Sequence, residues 1–322
     1  MLPAAAGDAE KACAAGECEK AIGILEKAMA ESPQDFRLYY RLGLCYGGSC
    51  RPHPLADDGM AVAYLQRASI LTAGTTGIDR ATVLDQLANT LSQGPPDAEA
   101  LRSAIECHRE AAEIYVSLGM VDDWARTQFN LGNSCCDLAE LAGEDHWQQA
   151  VVHYEQCLRV RMPENEAERY AAVLENLGTA YRQLAAGGTP ENIRKSIVCY
   201  QRALRVSRDA PPARRAALEN NLANALLSLP AGDPGLAARN ALRALRHLDR
   251  ALRIQAGEGA QRQYAISQYN RAQAYCRLAQ TVPGFDLQRA VDCFREALTI
   301  FQSCGDARHA QLVRTRLEKI SP

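Results

Sequence analysis

A pattern of one small, one large and one small residue recurs along the chain at offsets of four and seven positions. Its seven instances are Ala21/Leu25/Ala28, Ala61/Leu65/Ala68, Ala104/His108/Ala111, Ala150/Tyr154/Cys157, Ser196/Tyr200/Ala203, Ala244/Leu248/Ala251 and Ala290/Phe294/Ala297. These offsets place the three side chains on one face of an α-helix, where small residues let a neighbouring helix approach closely. The spacing therefore predicts seven similar, closely packed helices.

A second pattern precedes each instance after the first: a large residue, a small one, and a large one three positions later. It is found at Leu42-Gly43 with Tyr46, Leu87-Ala88 with Leu91, Leu131-Gly132 with Cys135, Leu177-Gly178 with Tyr181, Leu222-Ala223 with Leu226, and Arg271-Ala272 with Tyr275. Helix-breaking residues separate the two patterns, for example at Pro95-Pro96 and from Pro230 to Pro234. The chain is therefore predicted to be all-α, with the helices paired as hairpins.

Composition narrows the class of partner. The 322 residues are 47% hydrophobic and 23% charged, with a net charge of -2. The chain therefore lacks the excess of positive charge that is typical of proteins that bind nucleic acid or an anionic membrane. The N-terminus lacks the basic and apolar segments of an export signal, and no apolar run reaches the length of a membrane span. We therefore expect a cytoplasmic protein with free thiols and no nucleic-acid or membrane partner.

The repeated residues resemble the tetratricopeptide repeat (TPR) family. The segment 2–35 matches its short form, with the matching positions Ala9, Gly16, Ala21, Leu25, Ala28 and Pro33. Later repeats are longer, because Ala104, Ala150 and Ser196 follow one another at intervals of 46 residues. They resemble the long TPR-type repeats that precede caspase-like or signalling domains in bacterial multidomain proteins.

The resemblance implies a right-handed superhelical solenoid of about seven antiparallel hairpins. We expect one domain over 1–322, with a short repeat at 2–35, longer repeats at 36–300 and a capping helix at 306–320. In that last helix, Leu312, Val313 and Leu317 are expected on one side. The basic residues Arg314, Arg316 and Lys319 are expected to be exposed.

In the first helix of each hairpin, the residue two positions after the core residue points away from the hairpin core. In TPR solenoids this face lines the concave groove, and here it carries Leu44 followed by a polar row, Asn89, Asn133, Thr179, Asn224 and Gln273. Polar side chains that donate and accept hydrogen bonds suit a peptide backbone. The row is therefore predicted to bind a peptide or protein segment, although asparagine could also simply be common at this position.

Three arginines, Arg126, Arg182 and Arg277, are expected on or near the same face, either pairing with an acidic partner or as solvated surface residues. A separate asparagine set precedes the core residue of each first helix. We expect its members Asn130, Asn176, Asn221 and Asn270 to make a repeated hydrogen bond between stacked repeats, most plausibly to the backbone.

Cysteine and histidine alternate in the second helices at Cys107, His153, Cys199, His247 and Cys293. Neighbouring helices lie about 8–10 Å apart, too far for these side chains to converge on one metal ion. Cys13, Cys18, Cys45, Cys50 and His53 form a denser cluster, but their spacing matches no common zinc site. We therefore predict no metal and no cofactor.

No catalytic motif of a hydrolase, kinase or metalloprotease occurs in the sequence. The preferred interpretation is a non-enzymatic scaffold or adaptor that binds a peptide or protein segment in its groove. The alternative is a ligand-gated regulatory sensor that controls a partner signalling enzyme or protease.

Overall fold

The computed structural model describes residues 4–49, 56–143, 146–160, 166–185, 189–257 and 259–320. In these ranges the chain forms fifteen α-helices and one π-helical turn, without a β-strand. The helices are all too short or too polar to cross a lipid bilayer. The prediction of an all-α chain is confirmed. The chain divides into two compact units, 1–160 and 161–322, and the single-domain organisation stays a prediction.

The first unit contains eight helices, in which consecutive helices pack against each other as four hairpins. They are α1 (Ala4–Ala14), α2 (Cys18–Glu31), α3 (Phe36–Leu44), followed by the π-helical turn Cys45–Ser49, then α4 (Asp58–Leu71), α5 (Ile78–Gln93), α6 (Ala98–Ser117), α7 (Val121–Ala142) and α8 (His146–Val160). In each hairpin we call the odd-numbered helix the first helix and the even-numbered one the second helix.

The second unit contains three further hairpins and one more helix. Its helices are α9 (Ala167–Leu184), α10 (Pro190–Val206), α11 (Pro212–Ser228), α12 (Pro234–Gln255), α13 (Gln261–Thr281), α14 (Gln288–Ser303) and α15 (Ala307–Ile320). Of the predicted breakers, Pro95-Pro96 lies in the turn between α5 and α6, and Pro234 opens α12. Pro190 and Pro212 open α10 and α11 in the same way, because a missing N–H costs nothing at the start of a helix. The described part of the chain thus has the seven hairpins expected from the sequence.

The small-large-small pattern forms the contact between the two helices of a hairpin. All its members are buried except Ala28, which is half-buried. The small residue of the first helix lies directly against the large residue of the second. A Cβ added at Gly43 would lie 2.6 Å from Leu65 Cγ, and one added at Gly178 would lie 2.9 Å from Tyr200 Cε1. Glycine is needed at these positions because the helices approach so closely.

The predicted capping helix is present as α15, with one correction. Val313 and Ala310 are buried against α14, and Leu317 packs on the same cluster. Leu312, however, is 44% exposed, so its expected place on the inner side was wrong. The reason is helical geometry: positions 310, 313 and 317 share a face, and Leu312 lies about 100° away from Val313.

Candidate functional site

The predicted polar row lies at half-buried positions on the first helices α5, α7, α9, α11 and α13. Two of its members contact a tyrosine of their own hairpin. The Tyr154 hydroxyl donates a hydrogen bond to Asn133 Oδ1 at 2.8 Å, and the hydroxyls of Thr179 and Tyr200 share a hydrogen bond at 2.9 Å. Both tyrosines are central large residues of second helices. These row members therefore also hold their hairpins together.

The other three members of the row differ in their partners. Asn89 Oδ1 accepts a hydrogen bond from Asn130 Nδ2 at 2.9 Å. Within the described ranges, neither the Asn224 nor the Gln273 side chain has a hydrogen-bond partner. A side-chain amide both donates and accepts hydrogen bonds. The row members whose side-chain amides have no described partner therefore lie in the second unit.

The separate asparagine set connects consecutive first helices. Asn130 bonds to Asn89, Asn221 Nδ2 donates to Glu175 Oε1 at 3.4 Å, and Asn270 Nδ2 donates to Asn220 Oδ1 at 3.0 Å. These three bonds between stacked repeats follow the prediction, but their acceptors are side chains and not the expected backbone. Inside a helix the backbone carbonyls already accept the helix's own hydrogen bonds, which leaves side-chain oxygens as acceptors.

The three predicted arginines lie in different surroundings. Arg126 forms ion pairs with Asp85 at 3.0 Å and Asp123 at 2.7 Å. Arg182 lies near the Tyr200 hydroxyl: burial raises the pKa of that phenol, and the Arg182 charge partly opposes the rise. Arg277 is exposed and donates only a long bond, 3.5 Å, to the Leu227 carbonyl. Of the three, Arg277 offers the least engaged guanidinium to a partner.

Asp85, which sequence reasoning missed, is the centre of a buried polar cluster in the first unit. It accepts hydrogen bonds from His108 Nδ1 at 3.0 Å, Thr127 Oγ1 at 3.1 Å and Arg126. Burial alone would raise the pKa of this carboxyl, but the hydrogen bonds and charges of His108 and Arg126 outweigh it and hold the pKa below its usual value. An acid among the apolar positions of α5 was the available signal. The cluster connects three helices, α5, α6 and α7.

Four cavities lie between first helices or between α13 and α15. Their volumes are about 240 Å³ between α1 and α3, 420 Å³ between α5 and α7, 360 Å³ between α11 and α13, and 400 Å³ between α13 and α15. Asn220, Asn221 and Ser267 line the third cavity, and Gln273 and Arg277 line the fourth. Two residues of the predicted site therefore share one cavity.

The two histidines of the alternating set each bond to the first helix of their own hairpin. His153 Nδ1 bonds to Gln128 Oε1 at 2.8 Å, and His247 Nδ1 bonds to Glu219 Oε2. In the denser cluster, Cys13 Sγ and Cys45 Sγ lie 3.2 Å apart, while Cys50 and His53 fall outside the described residues. Within the described ranges, no three His, Cys, Asp or Glu side chains are arranged to hold a metal ion.

Comparison with known proteins identifies the fold. No protein-family model matches the sequence, and a comparison with curated proteins finds no match. Among solved structures, the C-terminal part of a TPR repeat-containing protein from Cytophaga hutchinsonii is similar, with 12% identity, a TM-score of 0.60, and 92% of this chain and 95% of that one covered. RapI in its apo form is 11% identical, with a TM-score of 0.54 over 94% and 98% of the two chains.

The apo form of the quorum sensor NprR from B. thuringiensis is also similar, at 14% identity, with a TM-score of 0.55 over 94% of this chain and 82% of that one. Identities this low establish the fold alone. Together with the seven hairpins and their closely packed glycines, these similarities show that the chain has a TPR-like, all-α solenoid fold.

Proposed function

We propose that this chain is a non-enzymatic protein-protein interaction scaffold that binds a peptide or protein segment along its first helices. The observation that carries the proposal is the cavity between α13 and α15, which is lined by Gln273 of the predicted polar row and by Arg277. An extended peptide fits this arrangement because it presents an N–H and a C=O at every residue, and the row supplies amides that bind both.

In the second unit, the binding groups are Asn224, Gln273 and Arg277. Asn224 and Gln273 hold no other side-chain hydrogen bond within the described ranges, so a peptide need not displace an internal partner. In the first unit, Asn89 and Asn133 already accept internal hydrogen bonds. We therefore propose that the second unit contributes more of the binding free energy than the first.

The titratable groups support binding over chemistry. Burial raises the pKa of Cys135 to about 11 and that of Cys136 to about 12, so both thiols are neutral at physiological pH, and a neutral thiol is a poor nucleophile. Burial lowers the pKa of His153 to about 4, and its ring is bonded to Gln128. These side chains serve hairpin packing.

A second candidate function is a ligand-gated regulatory sensor that controls a partner signalling enzyme or protease. The observation that favours it is the similarity to a quorum sensor, NprR, over 94% of this chain. A sensor differs from a scaffold in having two conformations with unequal affinity for the ligand. Small-angle X-ray scattering with and without a bound peptide separates the two: a changed profile supports the sensor, and an unchanged one the scaffold.

The proposal is tested by selecting short random peptides from a display library on the immobilised wild-type chain. The selected peptides are then measured against the double variant Asn224→Ala/Gln273→Ala by fluorescence anisotropy. Loss of two amide hydrogen bonds should weaken binding by about tenfold or more. The matched control is Arg246→Ala/Gln302→Ala, which removes exposed side chains from the second helices α12 and α14.

Equal affinity of the selected peptides for the wild type and the Asn224/Gln273 variant would contradict the proposed surface. Equal weakening by the Arg246/Gln302 control would contradict it as well. The thermal unfolding of each variant is measured in parallel, since the replaced side chains are not buried and the melting temperature should change little.

A further inference from the structure

The cavity between α13 and α15 has a strongly basic rim. Its volume is about 400 Å³, and its lining comprises Gln273, Cys276, Arg277, Gln280, Phe294, Arg316, Lys319 and Ile320. The α13 residues 273, 277 and 280 follow helical spacing, as do 316, 319 and 320 on α15, so each set lies on one helix face. Two helices thus direct three cationic side chains towards one space, and no acidic residue lines it.

The acids close in sequence to the lining do not pair with the basic rim. Glu296 of α14 bonds to Tyr264 and Gln268, and Glu318 of α15 is exposed and forms no ion pair within the described ranges. The three cations therefore have no ion-pair partner among the described acids.

The rim cations are correspondingly unpaired. Within the described ranges, neither Arg316 nor Lys319 has an ion-pair or hydrogen-bond partner, and Arg277 reaches only the Leu227 carbonyl. Burial raises the pKa of the Cys276 thiol, and the Arg316 charge opposes this rise, which places that guanidinium near the cavity wall. Three cations that line one cavity with no acidic lining residue repel one another, so an anion that entered the cavity would be stabilised by all three.

The remaining lining is suited to a peptide. Gln273 and Gln280 supply amides that pair with main-chain groups, and Phe294, which is almost fully buried, supplies an apolar floor with Ile320 beside it. Arginine binds a carboxylate through two parallel hydrogen bonds, and lysine adds a compact charge. An acidic segment of a polypeptide would use the amides, the floor and the cations together.

We propose that the α13/α15 cavity binds the side-chain carboxylates of an acidic peptide segment, through Arg277, Arg316 and Lys319. This inference rests on the proposed scaffold function and specifies the chemistry of one part of its partner. It also gives α15 a second role, because the helix that covers the apolar face of α14 supplies two of the three cations.

The test measures fluorescence anisotropy of a labelled glutamate-only peptide with the whole chain, beside a glutamine-only peptide of equal length. The glutamate peptide should bind, and added salt should weaken it because the contacts are exposed. Arg316→Gln/Lys319→Gln should weaken binding by about tenfold or more, through the loss of two charge-assisted contacts. The matched control is Arg314→Gln, an exposed arginine of α15 outside the cavity, which should bind as the wild type does.

The outcomes separate this site from the scaffold function. Equal binding of the glutamate peptide by the wild type and the Arg316/Lys319 variant would overturn the site, as would equal weakening by Arg314→Gln. Tighter binding of inorganic phosphate than of the peptide would also overturn it, by making the cavity a phosphate site. If library-selected peptides still require Asn224 in any of these cases, the scaffold function stands without the acidic partner.

Discussion

Arg126 and Arg277 occupy comparable faces of first helices, and the sequence predicts the same role for both. In the first unit, the exposed Arg126 forms ion pairs with the buried Asp85 and with Asp123. In the second unit, Arg277 is also exposed, but it reaches only a backbone carbonyl and lines a cavity with two other cations. The difference shows that a position on the predicted binding face does not make a side chain available. Its neighbours on adjacent helices decide that.

The same contrast extends to the polar row. Asn133 and Thr179 face tyrosines at the centre of their partner helices and bond to them. In the hairpin of Asn224 the central residue of the second helix is Leu248, and in the hairpin of Gln273 it is Phe294. The side chains of Leu248 and Phe294 cannot form hydrogen bonds. In these four hairpins the chemistry of the packing residue thus accounts for whether the row residue bonds to it, whereas Asn89 is bonded to Asn130 of the next first helix.

The largest effect is expected from Asp85→Ala, which leaves His108 and Arg126 without their common acceptor. Leaving a buried hydrogen-bond donor without its acceptor costs about 1–3 kcal/mol, and the buried His108 and Thr127 both bond to Asp85, so chemical denaturation should show a free energy of unfolding lower by about 2–3 kcal/mol. The control is Asp79→Ala, an exposed acid on the same helix, for which a change below about 0.5 kcal/mol is expected. Equal effects of the two substitutions would refute the cluster's role in stability.

The same cluster predicts a pH dependence. Because the pKa of Asp85 is lower in the folded than in the unfolded chain, its stabilisation is complete above the unfolded value of about 4 and is lost as the pH falls through the folded pKa. The free energy of unfolding should therefore decrease on acidification below about pH 4, and Asp85→Asn should decrease less over that range. Parallel curves for the wild type and the variant would show that other carboxylates cause the loss.

Replacing each of the two arginines with glutamine tests the comparison directly. Arg126→Gln should lower the free energy of unfolding by about 1 kcal/mol, since the pair is half-exposed on the arginine side and buried on the aspartate side. Arg277→Gln should leave it within about 0.5 kcal/mol of the wild type. Denaturant titrations of both variants provide the measurement, and a larger loss for Arg277→Gln would reverse the assignment.

A smaller effect is expected at the hairpin tyrosines. Tyr200→Phe keeps the packing against Gly178 but removes the hydrogen bond with Thr179, which should cost about 1 kcal/mol. Tyr64→Phe is the control, because its half-buried ring packs against Tyr39 and Tyr46 and no hydroxyl bond to a row residue is involved. An unchanged melting temperature for Tyr200→Phe would show that this bond contributes nothing.

The hairpins could be predicted from the sequence because each carries the small-large-small pattern, and helical periodicity follows from local spacing alone. The polar row was placed on the first helices for the same reason. Its internal partners could not be predicted in full, because they depend on which side chain of another helix lies opposite. Asp85 shows this most clearly: its partners His108 and Arg126 are 23 and 41 residues away along the chain.

The central claim is that peptides bind along the first helices, most strongly in the second unit. It is tested most directly by incorporating a photo-crosslinking amino acid in place of Gln273 on α13, or in place of the exposed Arg295 on the second helix α14. Each protein is irradiated with a library-selected peptide, and the adducts are identified by mass spectrometry. We predict adducts from position 273 and none from position 295. Adducts from position 295 alone would contradict the account.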